Sequence, residues 1–378
     1  MFRTAISLSL FLATLPLAAD DFPLSAPGTS VRQWGARSAA GGGLDLVVWE
    51  ERSPERVALK ASRIGPAGAP LDGEGIVIAD DRLVAYPTAA AEFAVAFDGE
   101  AFVVAWKREE GLKESLLVRT LSPTAALSEP RAIVTWDAIG ALRIAGGGEG
   151  RSAISWFGRD ASFIPPGGTF LAALVHGEAG TPVQLAPLFF SSATGLAAGP
   201  NGYLAVFIRP LPCQITCVPA GPLYARSFGF DGAPTSEPRL LDTDDGNGAA
   251  IVTNGESFFV AWGASVLEVD DAVNVVNASK LARSGWASID GDEIRIDTGI
   301  HRAIYTPGGL LRRFEPLMLQ RDEIYAGSIS GRRVLALTGP ESARRLVVRS
   351  LESAPAADLA VVATSALLPS DQDPRVRL

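Results

Sequence analysis

Histidine and cysteine are nearly absent, at two of each in 378 residues. The two cysteines, Cys213 and Cys217, have no histidine or third cysteine near them, so a Cys/His metal site lacks its remaining ligands. Lysine is confined to positions 60, 107, 113 and 280, and acids outnumber bases to leave a formal charge of −9. Such a balance argues against a nucleic-acid backbone or an anionic membrane as partner. Beyond the N-terminus no apolar run approaches the length needed to span a bilayer.

The first residues form a separate unit. Arg3 supplies a positive start, Ile6 to Leu17 an apolar run, and Leu17-Ala18-Ala19 a small-residue cleavage site ahead of Asp20-Asp21. That order is expected of a signal peptide over residues 1–19. Its removal takes one base and no acid, leaving −10. An exported chain follows, periplasmic or extracellular. Residues 20–31 read as a lead segment, 32–363 as one repetitive domain and 364–378 as a tail.

What is abundant is glycine (39), proline (26) and apolar residues (47%), the composition of many short strands joined by tight turns. The strands repeat. Asp98-Gly99-Glu100-Ala101-Phe102-Val103-Val104-Ala105-Trp106 matches Asn254-Gly255-Glu256-Ser257-Phe258-Phe259-Val260-Ala261-Trp262 at six of nine positions, at an offset of 156 residues, or three times 52. Weaker copies lie at 43–49 and 201–207. Each reads as a hairpin: the Asp-Gly or Asn-Gly pair supplies positive φ at a two-residue turn. The run after it is apolar at every position, so Phe102, Val104 and Trp106 face one way and Val103 and Ala105 the other. A strand apolar on both faces is covered on both faces.

Before each turn stands a strand of small residues, at 34–40, 92–97, 141–145, 193–198, 249–253, 286–289 and 324–329. Small side chains suit innermost strands that converge on an axis. A third strand carries an arginine among apolar residues (Arg63, Arg119, Arg226 and Arg349), and a fourth follows Ser128-Glu129-Pro130-Arg131, which recurs as Ser236-Glu237-Pro238-Arg239. Four strands per unit and a period near fifty predict an all-β fold, a single β-propeller of seven four-stranded blades, with six as the alternative. The alternative arises because the turn glycines at 255, 291 and 331 are only 36 and 40 residues apart. No spare strand for closing the ring is evident, although residues 22–31 are available. The repeat resembles that of exported bacterial propellers of the type DG-x-x-F-x-V-x-W followed by A-R-x-x. Preference for arginine over lysine, with much alanine and glycine, fits a GC-rich bacterial genome. The shared motifs are structural and imply no catalytic residues.

Few residues invite chemistry. Cys213 and Cys217 are expected to form a disulfide bracing an inserted loop. His176 reads as a strand-end residue, His301 as a loop residue, and no nucleophile elbow accompanies either. Asp242, Asp244 and Asp245, on a glycine-flanked loop, would suit Ca²⁺ coordination, although a solvated turn explains them as well and no cofactor is otherwise expected. The expectation for function is a non-enzymatic binding or scaffolding module, a monomer holding a carbohydrate, peptide or protein. The alternatives are a polysaccharide-directed hydrolase or lyase using loop carboxylates and a Ca²⁺-stabilised structural propeller.

Overall fold

The computed structural model describes residues 22–23, 32–52, 57–80, 92–160, 167–187, 194–208, 221–243, 249–262, 265–280, 286–290, 293–297, 301–306, 311–316, 324–329, 333–338 and 345–350. These residues are strands and turns. The chain opens with β1 (Phe22–Pro23). A first sheet follows in chain order: β2 (Arg32–Gly41), β3 (Leu44–Arg52), β4 (Val57–Ile64) and β5 (Ile76–Ala79). The second is β6 (Phe93–Phe97), β7 (Phe102–Glu110), β8 (Lys113–Leu121) and β9 (Arg131–Trp136). The third has five strands: β10 (Ala138–Gly148), β11 (Arg151–Arg159), β12 (Gly167–Val175), and both β13 (Glu178–Ala179) and β14 (Val183–Pro187) paired to β12.

The fourth sheet is β15 (Thr194–Gly199), β16 (Gly202–Ile208), β17 (Leu223–Phe228) and β18 (Arg239–Asp242). The fifth is β19 (Ala249–Thr253), β20 (Phe258–Trp262), β21 (Ser265–Val269) and β22 (Val275–Lys280). The sixth is β23 (Trp286–Asp290), β24 (Glu293–Asp297), β25 (His301–Tyr305) and β26 (Leu311–Pro316). The seventh joins β27 (Ile324–Ile329), β28 (Arg333–Thr338) and β29 (Arg345–Ser350) to β1, in which Phe22 and Pro23 pair antiparallel with Val348 and Val347. The start of the chain therefore supplies the outer strand of the last sheet. The closure that the sequence left open is made by its lead segment. The closely spaced fifth and sixth units both keep an outer strand, β22 and β26.

The core lies between sheets rather than within them. Phe102, Val104 and Trp106 of β7 pack with Leu46, Val48 and Leu59 of the first sheet, whereas Val103 and Ala105 pack with Trp156 and Phe170 of the third. The same sandwiching recurs between the third and fourth, fourth and fifth, and fifth and sixth sheets, and Val348 of the seventh packs with Trp49 of the first. The second strands β7, β16 and β20 carry unbroken apolar runs because both of their faces are interior. Four equivalent tryptophans, Trp49, Trp106, Trp156 and Trp262, are fully buried.

The inner strands β2, β6, β10, β15, β19 and β23 succeed one another in contact, and β2 also meets β27. Crowding at the axis accounts for their small residues. A β-carbon on Gly146 would lie 1.7 Å from the Phe97 carbonyl oxygen.

The third-strand arginines are clips. Arg119 donates from Nε to the Ser128 carbonyl (2.8 Å) and from Nη1 to the Ile78 carbonyl of the preceding sheet (2.7 Å). Arg63 pairs with Asp72 and reaches the Pro123 carbonyl of the next sheet at 2.7 Å. Arg226 donates to the Ser236 carbonyl at 2.9 Å. The recurring serine completes the arrangement, Ser128 Oγ accepting from the Thr120 N–H and Ser236 Oγ from the Ser227 N–H.

The hairpins differ in one detail from expectation. Gly99 and Gly255 do have positive φ, but the loops hold four residues, Asp98 to Ala101 and Asn254 to Ser257. The Asp98 and Asn254 side chains earn their place by accepting two backbone N–H bonds each. True two-residue turns with positive φ at both positions occur at Gly42-Gly43 and at Glu149-Gly150.

Candidate functional site

Most of the residues singled out for chemistry come to little. Cys213, Cys217, Asp244 and Asp245 lie outside the described residues. Asp242 ends β18 opposite Leu223. Among the described residues no group of three or more His, Cys, Asp or Glu could hold a metal ion. His176 sits with φ of 49° in the β12–β13 turn, exposed, its Nδ1 3.3 Å from Glu100. The fold explains it as a turn residue.

A few charges do interrupt the inner segments. The seven small-residue segments read from the sequence contain three charged residues, Arg37, Glu92 and Arg143. They fall on three successive inner strands: Arg37 on β2, Glu92 just before β6, and Arg143 on β10. The three groups interact electrostatically. Both arginine side chains keep access to solvent, yet the surrounding protein desolvates each guanidinium. Both properties fit a side chain on an inner strand, where the successive strands crowd it while part of it still meets solvent. Burial pushes both arginines below their usual range; Arg143 lowers Arg37 further, and Glu92 acts in the opposite direction on each. Arginine remains charged through such a shift.

The backbone places the two arginines by the same device. Between Trp34 and Arg37 the β2–β3 register shifts by a bulge, with Gly35 at φ 46°; between Gly140 and Arg143 the β10–β11 register shifts likewise, with Ala141 at φ 53°. In each strand the residue of positive φ lies two before the arginine. A bulge swings the following side chain off the regular alternation. Here it redirects an arginine at a point where the neighbouring inner strands carry small residues. Ala141 is a non-glycine residue held in the left-handed region, a cost tolerated where the surroundings over-determine the geometry.

Each bulge is pinned to the third strand of the preceding sheet, four residues before its arginine. Gln33 Oε1 accepts from the Leu346 N–H at 2.7 Å, and Glu114 Oε2 accepts from the Ile139 N–H. Each guanidinium then donates from Nη1 to the carbonyl just before it, Arg37 to Ala36 (2.9 Å) and Arg143 to Leu142 (2.8 Å). The Arg37 guanidinium also lies 5.8 Å from the Phe93 ring centroid. Among the described residues no ion pair joins either arginine, and each guanidinium makes the one hydrogen bond just given.

Neither a family model nor a curated protein matches the sequence. Solved structures do resemble the fold. The β-propeller domain of the Trilobed protease from Pyrococcus furiosus, described as having an open velcro topology, superposes with a TM-score of 0.53 at 12% identity, over 86% of this chain and 94% of that one. The chain is a β-propeller. Puromycin hydrolase (TM-score 0.48, 18% identity) is matched over 87% of this chain, which spans about half of that protein, 55%. An α-L-arabinanase of Penicillium chrysogenum, complexed with arabinobiose, is matched at TM-score 0.47 and 11% identity, over 88% and 97% of the two chains. No helix among the described residues is long and apolar enough to cross a membrane.

Proposed function

We propose that this propeller is an exported binding protein whose axial channel receives an anionic group of its ligand between Arg37 and Arg143. One observation carries the reading. Three inner strands in succession bring together the charged residues of the small-residue segments, two of them cationic and aimed by matching bulges. Desolvated guanidinium groups bind carboxylates and related oxyanions strongly, because water competes poorly there and the fork geometry matches two oxygens. The leader-like residues 1–19 support export, and a thiol titration finding no free Cys213 or Cys217 in the native protein would agree with an oxidising compartment.

The test is an array of neutral and acidic oligosaccharides and peptides, probed with residues 20–378 and with the Arg37→Gln/Arg143→Gln double variant. Acidic ligands retained by the parent and lost by the double variant are the expected result. Neutral ligands, bound equally by both proteins, would remove the axial site from consideration.

A second reading, a polysaccharide-directed hydrolase or lyase, draws support from the propeller of a protease sharing this fold. It needs two convergent carboxylates, and the inner strands bring Glu92, beside β6, and Asp290, at the end of β23. Release of reducing ends from an acidic polysaccharide, abolished by Glu92→Gln, would favour it over simple binding.

A further inference from the structure

We infer that the axial site is matched to one negative charge, presented as a carboxylate with a hydroxyl beside it, the chemistry of a uronic acid. This rests on the anion-binding reading above and narrows it. Arg37 and Arg143 contribute two positive charges and Glu92 one negative, so these three groups carry a net charge of about +1, which a single carboxylate neutralises. A phosphate monoester brings about −1.5 to −2 at neutral pH and would leave the site negative. The attraction of a ligand grows in proportion to its charge, whereas the cost of stripping its water grows with the square. Inner strands rich in Ala, Gly and aliphatic residues offer little to resolvate the excess.

Glu92 also sets what accompanies the carboxylate. Its side chain is half-buried, and its carboxylate accepts no hydrogen bond from a described residue, although its backbone carbonyl is engaged by the Lys107 N–H at 3.1 Å. Standing at the start of β6, between the strands that carry the two arginines, it offers acceptor oxygens to a donor on the same ligand. A bare carboxylate would leave that acceptor unused and a neutral sugar would leave the guanidinium groups unused. A hydroxylated carboxylate uses both.

Calorimetric titration of residues 20–378 with D-glucuronate, D-glucose and glucose 6-phosphate tests this, in the parent and in Glu92→Gln. The parent is expected to bind glucuronate at least about tenfold more tightly than either other sugar. Glu92→Gln raises the site to +2 and should shift the glucuronate-to-phosphate preference about tenfold toward the phosphate. Circular dichroism and melting of Glu92→Gln confirm that its fold is intact. A parent that prefers glucose 6-phosphate, or a preference that Glu92→Gln leaves unchanged, overturns the one-charge inference while the anion site stands. Glucuronate binding that survives Arg37→Gln/Arg143→Gln overturns the anion site itself, and absence of binding by both anions overturns both. A tetrasaccharide of uronic acid in a further arm separates the free acid from the chain-borne residue. Tighter binding of either form supports the proposal and names the source.

Discussion

The crowding at the axis can be measured with three glycines of the first and third sheets, each replaced by alanine. At Gly146 φ is ordinary, but the added β-carbon would lie 1.7 Å from the Phe97 carbonyl oxygen and 2.6 Å from its carbonyl carbon. Ordinary contact begins near 3.4 Å, so β10 or β6 must retreat by more than 1 Å, and the obstacle is backbone that cannot rotate away. Overpacking usually costs about 1–3 kcal/mol, and a rigid obstacle puts Gly146→Ala at about 3 kcal/mol or above. At Gly43 the added carbon meets nothing within 4 Å, but φ is 78°, so Gly43→Ala pays the left-handed penalty of about 1–2 kcal/mol. At Gly140 neither obstacle exists, and alanine should stabilise by about 0.4–1 kcal/mol through the unfolded chain. Urea titration with a common m-value ranks the three directly. The packing argument fails if Gly146→Ala unfolds within about 0.5 kcal/mol of Gly140→Ala, since the inner strands would then have room to spare.

Other outcomes follow from single features. Tyr203 is buried with no hydrogen-bond partner for its hydroxyl among the described residues, and burial pushes its pKa far above the usual phenol value. Tyr203→Phe should therefore be neutral or stabilising by up to about 1 kcal/mol in a urea melt, and a clear loss would reveal a partner. A chain starting at residue 24 loses the β1–β29 pairing; about 1–3 kcal/mol of stability should go with it, and light scattering should detect association through the bared β29 edge. Burial pushes the Asp270 carboxyl up, but hydrogen bonds from Asn274 and Ala272 and the charge of Arg239 outweigh it and hold the pKa below the usual carboxylate range. The stabilisation is present above the ordinary value and fades as pH falls through the depressed one. Asp270→Asn should then cost below about 1 kcal/mol at pH 7 and almost nothing near pH 2, whereas a pH-independent cost would refute the charge account. For Asp242, Asp244 and Asp245, a melting temperature unchanged by chelator is the expected outcome, and a large fall would assign a bound cation.

Local patterning made much of the architecture legible. Alternation within Phe102 to Trp106, the small-residue segments and the positive-φ glycines are each short-range, and each led to the strand that carries it. The repeated arginines were visible too, although their role as clips depends on carbonyls such as Ile78, 41 residues away from Arg119. The two-residue turn at Asp98-Gly99 was misjudged because a side chain that accepts two N–H groups lengthens the loop without altering its residues. The site went unseen for a related reason. Arg37, Glu92 and Arg143 stood inside segments chosen for small residues, and a charge interrupting such a segment was the available signal.

By itself, the sequence determined the strands and their order, the inner place of the small-residue segments and the two-sided burial of the second strands, because turns and periodic burial act over a few residues. Only the tertiary structure decided that Phe22–Pro23 completes the last sheet, that a bulge precedes both Arg37 and Arg143, and that Glu92 stands beside the inner strand between theirs. Those depend on residues from 51 to more than 300 positions apart meeting across neighbouring sheets. Separation along the chain carries no trace of that proximity.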